Sequence, residues 1–228
     1  MPRYAIYFAP HAGSLLARFG ASVLGYDAST GADIEPPDHP LFHDPASLGW
    51  TAGPRRYGFH ATLKAPFHLA DGRTAAELEQ ALQEFVRTQK PIDITLNLAL
   101  VGHFLALVLA EPSPAMQDLA AACVRHFDLF REPLSPEDRE RRHPDHLTVQ
   151  QVANLDEWGY PFVLDDFQFH MTLTGPLEPR DRAKLEPVLR DLLRDVPLST
   201  TVDSLVLLRQ ESANDRFVLQ RRFDFAGA

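Results

Sequence analysis

Polar and apolar residues alternate in several short stretches of the chain, and this pattern predicts β-strands with one buried face. Apolar residues spaced three or four positions apart predict helices between them. The strands are predicted at 4–10, around residue 60, at 92–100, 103–110, around residue 170, at 200–209 and at 216–225. The helices are predicted at 12–22, from 74 onward, from 113 onward, at 148–159 and at 179–195.

Local signals mark the ends of some helices. The spacing Thr-x-x-Glu at 74–77 and Thr-x-x-Gln at 148–151 is that of a capping box. Gly159 predicts the end of one helix, and Pro187 predicts a kink or break in the last one. The stretch 27–56, which is rich in Gly, Pro and Asp, is predicted to be irregular.

The order of predicted elements occurs twice. Each half of the chain reads strand, helix, long connection, histidine-containing strand, helix, strand, with the last strand of the chain left over. We therefore predict an α+β fold in a single domain, 1–228, made of two pseudo-symmetric lobes at roughly 1–102 and 103–228. Two mainly antiparallel sheets would face a central groove, with helices outside.

The first histidine strand lies in YGFHATLKAPF, residues 57–67. Side chains alternate between the two faces of a strand, so His60, Thr62 and Lys64 are predicted to share one face. The intervening apolar residues would pack on a core. The polar set would line a cleft or lie exposed.

The second histidine strand, FQFHMTLTGPL at 167–177, repeats the pattern. His170, Thr172 and Thr174 are predicted to share one face. Both copies read His-x-Thr-Leu, follow a phenylalanine and lie 110 residues apart. A pseudo-two-fold axis would bring the two histidines to opposite walls of one groove.

These residue types suit metal-free hydrolysis of a phosphodiester. One neutral and one protonated imidazole can coexist near neutral pH, so His60 and His170 could serve as base and acid. The pseudo-symmetry leaves open which is which. Thr62 and Thr172 offer hydroxyl donors to phosphate oxygens, and Lys64 and Thr174 join them by strand parity.

Tyr7 is a further candidate on the first strand. It alternates with an apolar set, so its hydroxyl could reach the groove if this strand neighbours the His60 strand. A tyrosine packed at the edge of the sheet is the alternative interpretation.

The paired His-x-Thr-Leu motifs in a duplicated α+β fold resemble the two-histidine (2H) phosphoesterase superfamily. RRYGFHATLKAPF and WGYPFVLDDFQFHMTLTGPL are similar to the branch associated with bacterial phosphonate metabolism, over essentially the whole chain. The resemblance implies catalytic roles for His60 and His170 and phosphate contacts for Thr62 and Thr172. It leaves the substrate open.

Composition limits the partners. The net charge of −9 disfavours binding of long nucleic acids, whereas a small phosphate-containing substrate needs only a local cluster of cations.

A single cysteine excludes an intrachain disulfide. No apolar run reaches the length of a membrane span and no signal peptide is recognised, so we expect a cytoplasmic protein without an obligate protein partner.

Other functions are possible. The HPDH stretch at 143–146 resembles a metal pair, but Pro144 disfavours the helix that such a pair needs, so no metal or cofactor is predicted. An RNA-end 2′,3′-cyclic phosphodiesterase or ligase is one alternative. A non-catalytic protein that binds a phosphate ligand is another, although arginines would serve binding alone as well as histidines.

Overall fold

Residues 1–227 are described by a computed structural model, with only the backbone described at 46 and 47. The strands are β1 (Arg3–Phe8), β2 (Tyr26–Asp27), β3 (Ala32–Asp33), β4 (Ala61–Phe67), β5 (Ile92–Val101), β6 (Phe104–Leu109), β7 (His170–Thr172), β8 (Ser199–Val202), β9 (Ser204–Gln210) and β10 (Val218–Asp224). The α-helices are α1 (Leu15–Leu24), α2 (Pro40–His43), α3 (Pro45–Arg55), α4 (Ala75–Val86), α5 (Pro114–Phe127), α6 (Pro136–Glu140), α7 (Val149–Trp158) and α8 (Pro179–Leu192). Short 3₁₀ helices occupy Asp128–Phe130, Pro144–His146 and Leu164–Asp166.

Eight strands form one sheet in the order β10-β9-β1-β4-β7-β6-β5-β8, and β2 pairs with β3 separately. Every pairing in the sheet is antiparallel. The α+β class is confirmed. The two predicted sheets are two four-stranded halves of one sheet, joined where Ala61 of β4 pairs with Met171 of β7.

Each half of the sheet takes strands from both halves of the chain. β5 pairs with β6, whereas β9 and β10 lie beside β1. The division drawn at residue 102 therefore does not coincide with the division of the sheet. The reason is the two-residue turn at Gly102 (φ 55°), because so short a connection makes β5 and β6 antiparallel neighbours.

The predicted strand at 200–209 is two strands, divided at Asp203. β8 ends the sheet beside β5, and β9 lies near the other end, between β10 and β1. A single residue separates β8 from β9. Since consecutive Cα atoms are about 3.8 Å apart, the sheet must curl until β8 and β9 lie within roughly 8 Å of each other at this point.

The helix signals in the sequence are largely confirmed. Thr74 and Thr148 both form capping boxes, and Gly159 ends α7 in the left-handed conformation at φ 76°. The irregular assignment of 27–56 is wrong over α2 and α3. Contact between α3 and α1 compensates for the poor helix formers in α3.

Pro187 does not break α8, so the break that was one of the two predicted outcomes does not occur. The helix runs uninterrupted past the proline, and its neighbours Leu185 and Leu189 are both buried. Packing of this apolar stripe holds the helix together across the missing hydrogen bond.

The main hydrophobic core lies on one face of the large sheet. The apolar sets predicted beside the two histidines all belong to it: Phe59, Ala61, Leu63, Phe169, Met171 and Leu173. Helical residues from α1, α4, α5 and α8 complete this core. Among residues 1–227, none of the helices combines the length and apolar character that crossing a bilayer requires.

Candidate functional site

The two His-x-Thr motifs meet on the face of the sheet opposite the main core. With Ala61 opposite Met171 in an antiparallel pair, Thr62 lies beside His170 and Thr172 beside His60. Thr62 and His170 line a single cavity of about 370 Å³. The structure therefore brings together the four residues predicted from the repeated motif.

Both imidazoles are held in the same way. Nδ1 of His60 lies 2.9 Å from the Gly58 carbonyl oxygen, and Nδ1 of His170 lies 2.8 Å from the Gln168 carbonyl oxygen. A carbonyl oxygen only accepts, so Nδ1 must carry the proton in each ring. Nε2 is thereby left to exchange a proton with a substrate.

Gly58 shapes the approach to His60. Its φ is 75°, and a Cβ at this position would lie 2.6 Å from the Cβ of Ala28. Only glycine fits both the backbone conformation and the contact. The resulting turn places the Gly58 carbonyl under the imidazole of His60.

His60 lies between aromatic rings. Its imidazole stacks on Tyr7 with ring centroids 3.8 Å apart, and the Tyr57 ring lies at 6.2 Å. Burial, with a smaller contribution from the nearby His170, lowers the pKa of His60 to about 4 despite the bond to Gly58. His60 is therefore neutral at pH 7, and its Nε2, 3.1 Å from Thr62 Oγ1, carries a lone pair.

His170 has a more open environment. His170 and His60 are both partly exposed, but the aromatic ring beside His170, Phe104, is tilted at 54° with centroids 5.7 Å apart instead of stacked. The bond from Nδ1 to the Gln168 carbonyl lies at the exposed side of the site. The same motif thus places two histidines in unequal surroundings.

Tyr7 lies on the histidine face, as the prediction required. β1 neighbours β4, with Tyr7 paired to Thr62, and the tyrosine is 1% exposed. Burial, with the nearby hydroxyls of Tyr57 and Tyr160, raises the pKa of Tyr7 well above its usual value. Tyr7 is therefore a neutral residue that covers one face of His60.

Lys64 is not on the histidine face, and its predicted place there is wrong. The register against β1 shifts between Tyr7–Thr62 and Ile6–Lys64, so a bulge puts Lys64 beside the core residue Ile6. Lys64 is 3% exposed. Its Nζ donates to the Val124 carbonyl at 3.0 Å and to Oδ1 of Asp128 at 2.6 Å.

Thr174 is also turned away from the cavity, contrary to prediction. β7 ends at Thr172, and Thr174 is fully buried. Its hydroxyl accepts from the Leu105 amide at 3.0 Å and donates to the Gly175 carbonyl at 2.8 Å. The single hydroxyl proton is donated to the backbone, which leaves no donor for a phosphate oxygen.

Several residues near the histidines were not predicted from the sequence. Tyr57 stacks on Phe217, with centroids 5.3 Å apart, and this pair walls the side of His60. Tyr160 lines the cavity, and the guanidinium carbon of Arg142 lies 5.3 Å from its ring centroid. These residues lie on loops, so no periodic pattern marks them.

Two solved structures are similar to this chain over nearly its whole length. A crystal structure of E. coli LigT complexed with NADP⁺ is similar over 99% of both chains, with 13% identity and a TM-score of 0.46. A crystal structure of a protein of Thermus thermophilus is similar over 99% of this chain and 98% of that one, with 13% identity and a TM-score of 0.47.

Two curated proteins named ribose 1,5-bisphosphate phosphokinase PhnN match the sequence. The one from Janthinobacterium sp. (strain Marseille) is 35% identical over 235 residues, which is 100% of this chain and 51% of that protein. The one from Laribacter hongkongensis (strain HLHK9) is 30% identical over 179 residues, 78% of this chain and 41% of that protein. The chain spans about half the length of these relatives.

A protein-family model matches residues 62–218, which include both threonines of the motifs, the second histidine and most of the sheet. Its description is "Protein of unknown function (DUF1045)". The matched range is more than half of the chain, and the chain belongs to this family.

Proposed function

We propose that this chain is a two-histidine phosphoesterase that hydrolyses a small cyclic phosphodiester. The observation that carries the proposal is the matched pair of imidazoles. Both have Nδ1 bonded to a carbonyl, both leave Nε2 for proton transfer, and both lie at the start of adjoining strands, where His170 and the Thr62 beside His60 line one cavity. A binding protein has no need of two histidines fixed in the same tautomer.

The unequal surroundings favour one division of the roles. His60, neutral because burial lowers its pKa, takes a proton from water at Nε2, and the water oxygen attacks phosphorus. The bond from phosphorus to the leaving oxygen breaks, and protonated His170 gives its Nε2 proton to that oxygen. Thr62 gives up its bond to Nε2 of His60 when water takes that place, and Thr62 and Thr172 then donate to the non-bridging oxygens, where negative charge accumulates. The product is a phosphomonoester with a free hydroxyl.

The names of the relatives support a proposed substrate class. A phosphoesterase joined to a kinase half would supply that kinase if its product were the kinase's substrate. The relatives' names point to ribose 1,5-bisphosphate. Hydrolysis of one ester bond yields this compound from ribose 5-phosphate with a cyclic phosphate across carbons 1 and 2. This substrate also agrees with the resemblance to proteins of phosphonate metabolism.

The size of the cavity is compatible with such a compound. Its volume, about 370 Å³, lies in the range of small-ligand sites, which begins at about 300 Å³. A long polynucleotide would need a cationic surface along its backbone, whereas the chain carries a net charge of −9. A small sugar phosphate needs no such extended cationic surface.

The test is a panel of cyclic phosphates followed by phosphorus NMR. It compares the 1,2-cyclic phosphate of ribose 5-phosphate with nucleoside 2′,3′-cyclic phosphates and with RNA ending in a 2′,3′-cyclic phosphate. We expect ring opening of the sugar cyclic phosphate by wild type, undiminished by EDTA, and none by His60→Ala. Turnover of the RNA end alone would support the RNA alternative, and binding without turnover would support the non-catalytic one.

A further inference from the structure

The charged segment REPLSPEDRERRHPDH, residues 131–146, contains three arginines close together on and after α6. Arg139 contacts both carboxylate oxygens of Asp156, with Nε 2.6 Å from Oδ1. Arg141 lies 2.7 Å from Oδ1 of Asp138. These two arginines are neutralised by acidic neighbours on the surface.

Arg142 differs from both. Within residues 1–227 no carboxylate lies within ion-pair distance of its guanidinium. The side chain is half-buried and lies over Tyr160, with the guanidinium carbon 5.3 Å from the ring centroid. Arg142 is therefore a cation held in place by a ring instead of an anion.

The ring that supports Arg142 lines the same cavity as His170. Tyr160 lines that cavity together with Thr62, Gln168 and His170. The positive charge of Arg142 also reaches Tyr7, whose ring covers His60, and opposes the rise in the pKa of the Tyr7 hydroxyl. Contact and charge therefore place Arg142 at the rim of the reaction site.

We propose that Arg142, supported by the ring of Tyr160, binds a second phosphate group of the substrate while the histidines act on the first. This inference rests on the proposed function and adds the requirement that the substrate carry a phosphomonoester apart from the reacting diester. A guanidinium stacked on a ring keeps its N–H donors free at its edge, in the fork that matches phosphate oxygens.

The physical basis is the absence of a competing anion. A guanidinium already paired with a carboxylate would have to give up that partner to bind phosphate, as Arg139 would with Asp156. Arg142 has no such partner among the described residues, and its aromatic support reduces the loss of side-chain freedom on binding. It is therefore the arginine of this segment that is prepared for an anionic ligand.

The experiment is calorimetric titration of wild type, Arg142→Met, Arg142→Lys and the matched control Arg141→Met. The probes are ribose 1,5-bisphosphate and ribose 1-phosphate, which differ by the second phosphate. We expect Arg142→Met to weaken binding of the bisphosphate by about 10- to 100-fold, the effect of losing a charged hydrogen-bonded contact, and to change binding of the monophosphate by less than about 3-fold. Arg142→Lys should fall between, and Arg141→Met should match wild type.

The inference would be overturned if Arg142→Met weakened binding of both probes equally or weakened binding of neither. It would also be overturned if wild type bound the bisphosphate no more tightly than the monophosphate. Thermal melting of each variant checks folding, and Arg142→Lys preserves the test if the methionine variant melts early. Binding needs no turnover. Loss of the proposed function, seen as failure to open any cyclic phosphate, is therefore distinguishable from loss of this subsite.

Discussion

The two histidine strands have nearly the same sequence motif and different surroundings. At the start of β4, His60 stacks on Tyr7 at 3.8 Å and has Tyr57 nearby. At the start of β7, His170 has the tilted ring of Phe104 beside it, and its Nδ1 bond lies on the exposed side. The orientation of each imidazole is set locally, by the carbonyl two residues earlier, whereas the burial that lowers the pKa of His60 involves Tyr7, which is distant in sequence.

This difference breaks the symmetry that the motif alone leaves open. Stacking by Tyr7 removes water from His60 and favours the neutral form, which is the form that a base requires. His170 lacks a stacked ring, and we propose that it supplies the acid. The repeated motif thus supplies two similar groups, and the ring stacked on one of them favours the proposed assignment of His60 as the base.

The largest expected effect is loss of either histidine. His60→Ala and His170→Ala should each reduce kcat by about 10²- to 10⁴-fold, because each removes one positioned proton transfer. The double variant should lose much less than the product of the two single losses, since the residues act in one step. Steady-state kinetics on the cyclic substrate measures this. Near-full activity in His170→Ala would contradict the paired mechanism.

The threonines should have a smaller effect. Thr62→Val and Thr172→Val should reduce kcat by about 10- to 10³-fold, because each removes one donor to the developing charge and leaves both imidazoles in place. Thr62 also contacts Nε2 of His60 at 3.1 Å, so its loss should be the larger of the two. The same assay, with Thr174→Val as the control turned away from the cavity, decides this. A larger loss in Thr174→Val would contradict the geometry.

The acid side of the pH profile tests the comparison directly. With the pKa of His60 lowered to about 4, the base stays neutral at pH 5, and kcat/KM should be within about 2-fold of its value at pH 7. A base with the ordinary histidine pKa of about 6.5 would lose roughly 25-fold over the same interval. Stopped assays from pH 4 to 8 distinguish the two, with circular dichroism confirming that the protein stays folded.

Removing the stacked ring should sharpen this result. Tyr7→Ala admits water to His60, so the pKa of the imidazole should rise towards its ordinary value. The acid limb of the profile of kcat/KM against pH should then move to higher pH. Tyr7→Phe keeps the ring and should leave the limb in place. An unchanged limb in Tyr7→Ala would show that Tyr7 does not set the protonation of His60.

Strand parity predicted the motif residues and failed two positions later. Thr62 and Thr172 lie where alternation placed them, because each strand is regular between its histidine and its threonine. Lys64 follows a bulge and Thr174 follows the end of β7, and neither irregularity has a signature in the sequence. The α+β class could be predicted from the order of the elements alone. The joining of the two sheet halves could not, because it depends on one long-range pair between β4 and β7.

Substitution of Lys64 should have the smallest effect on activity and a measurable effect on stability. Lys64→Met should lower the free energy of unfolding by about 1–3 kcal/mol, because the Val124 carbonyl loses its donor while Asp128 keeps Arg131 at 2.8 Å. Both kcat and KM should stay within about 2-fold of wild type. Urea denaturation and kinetics measure the two, with exposed Lys90→Met as the control. A rise in KM without loss of stability would return Lys64 to the substrate site and contradict the bulge in β4.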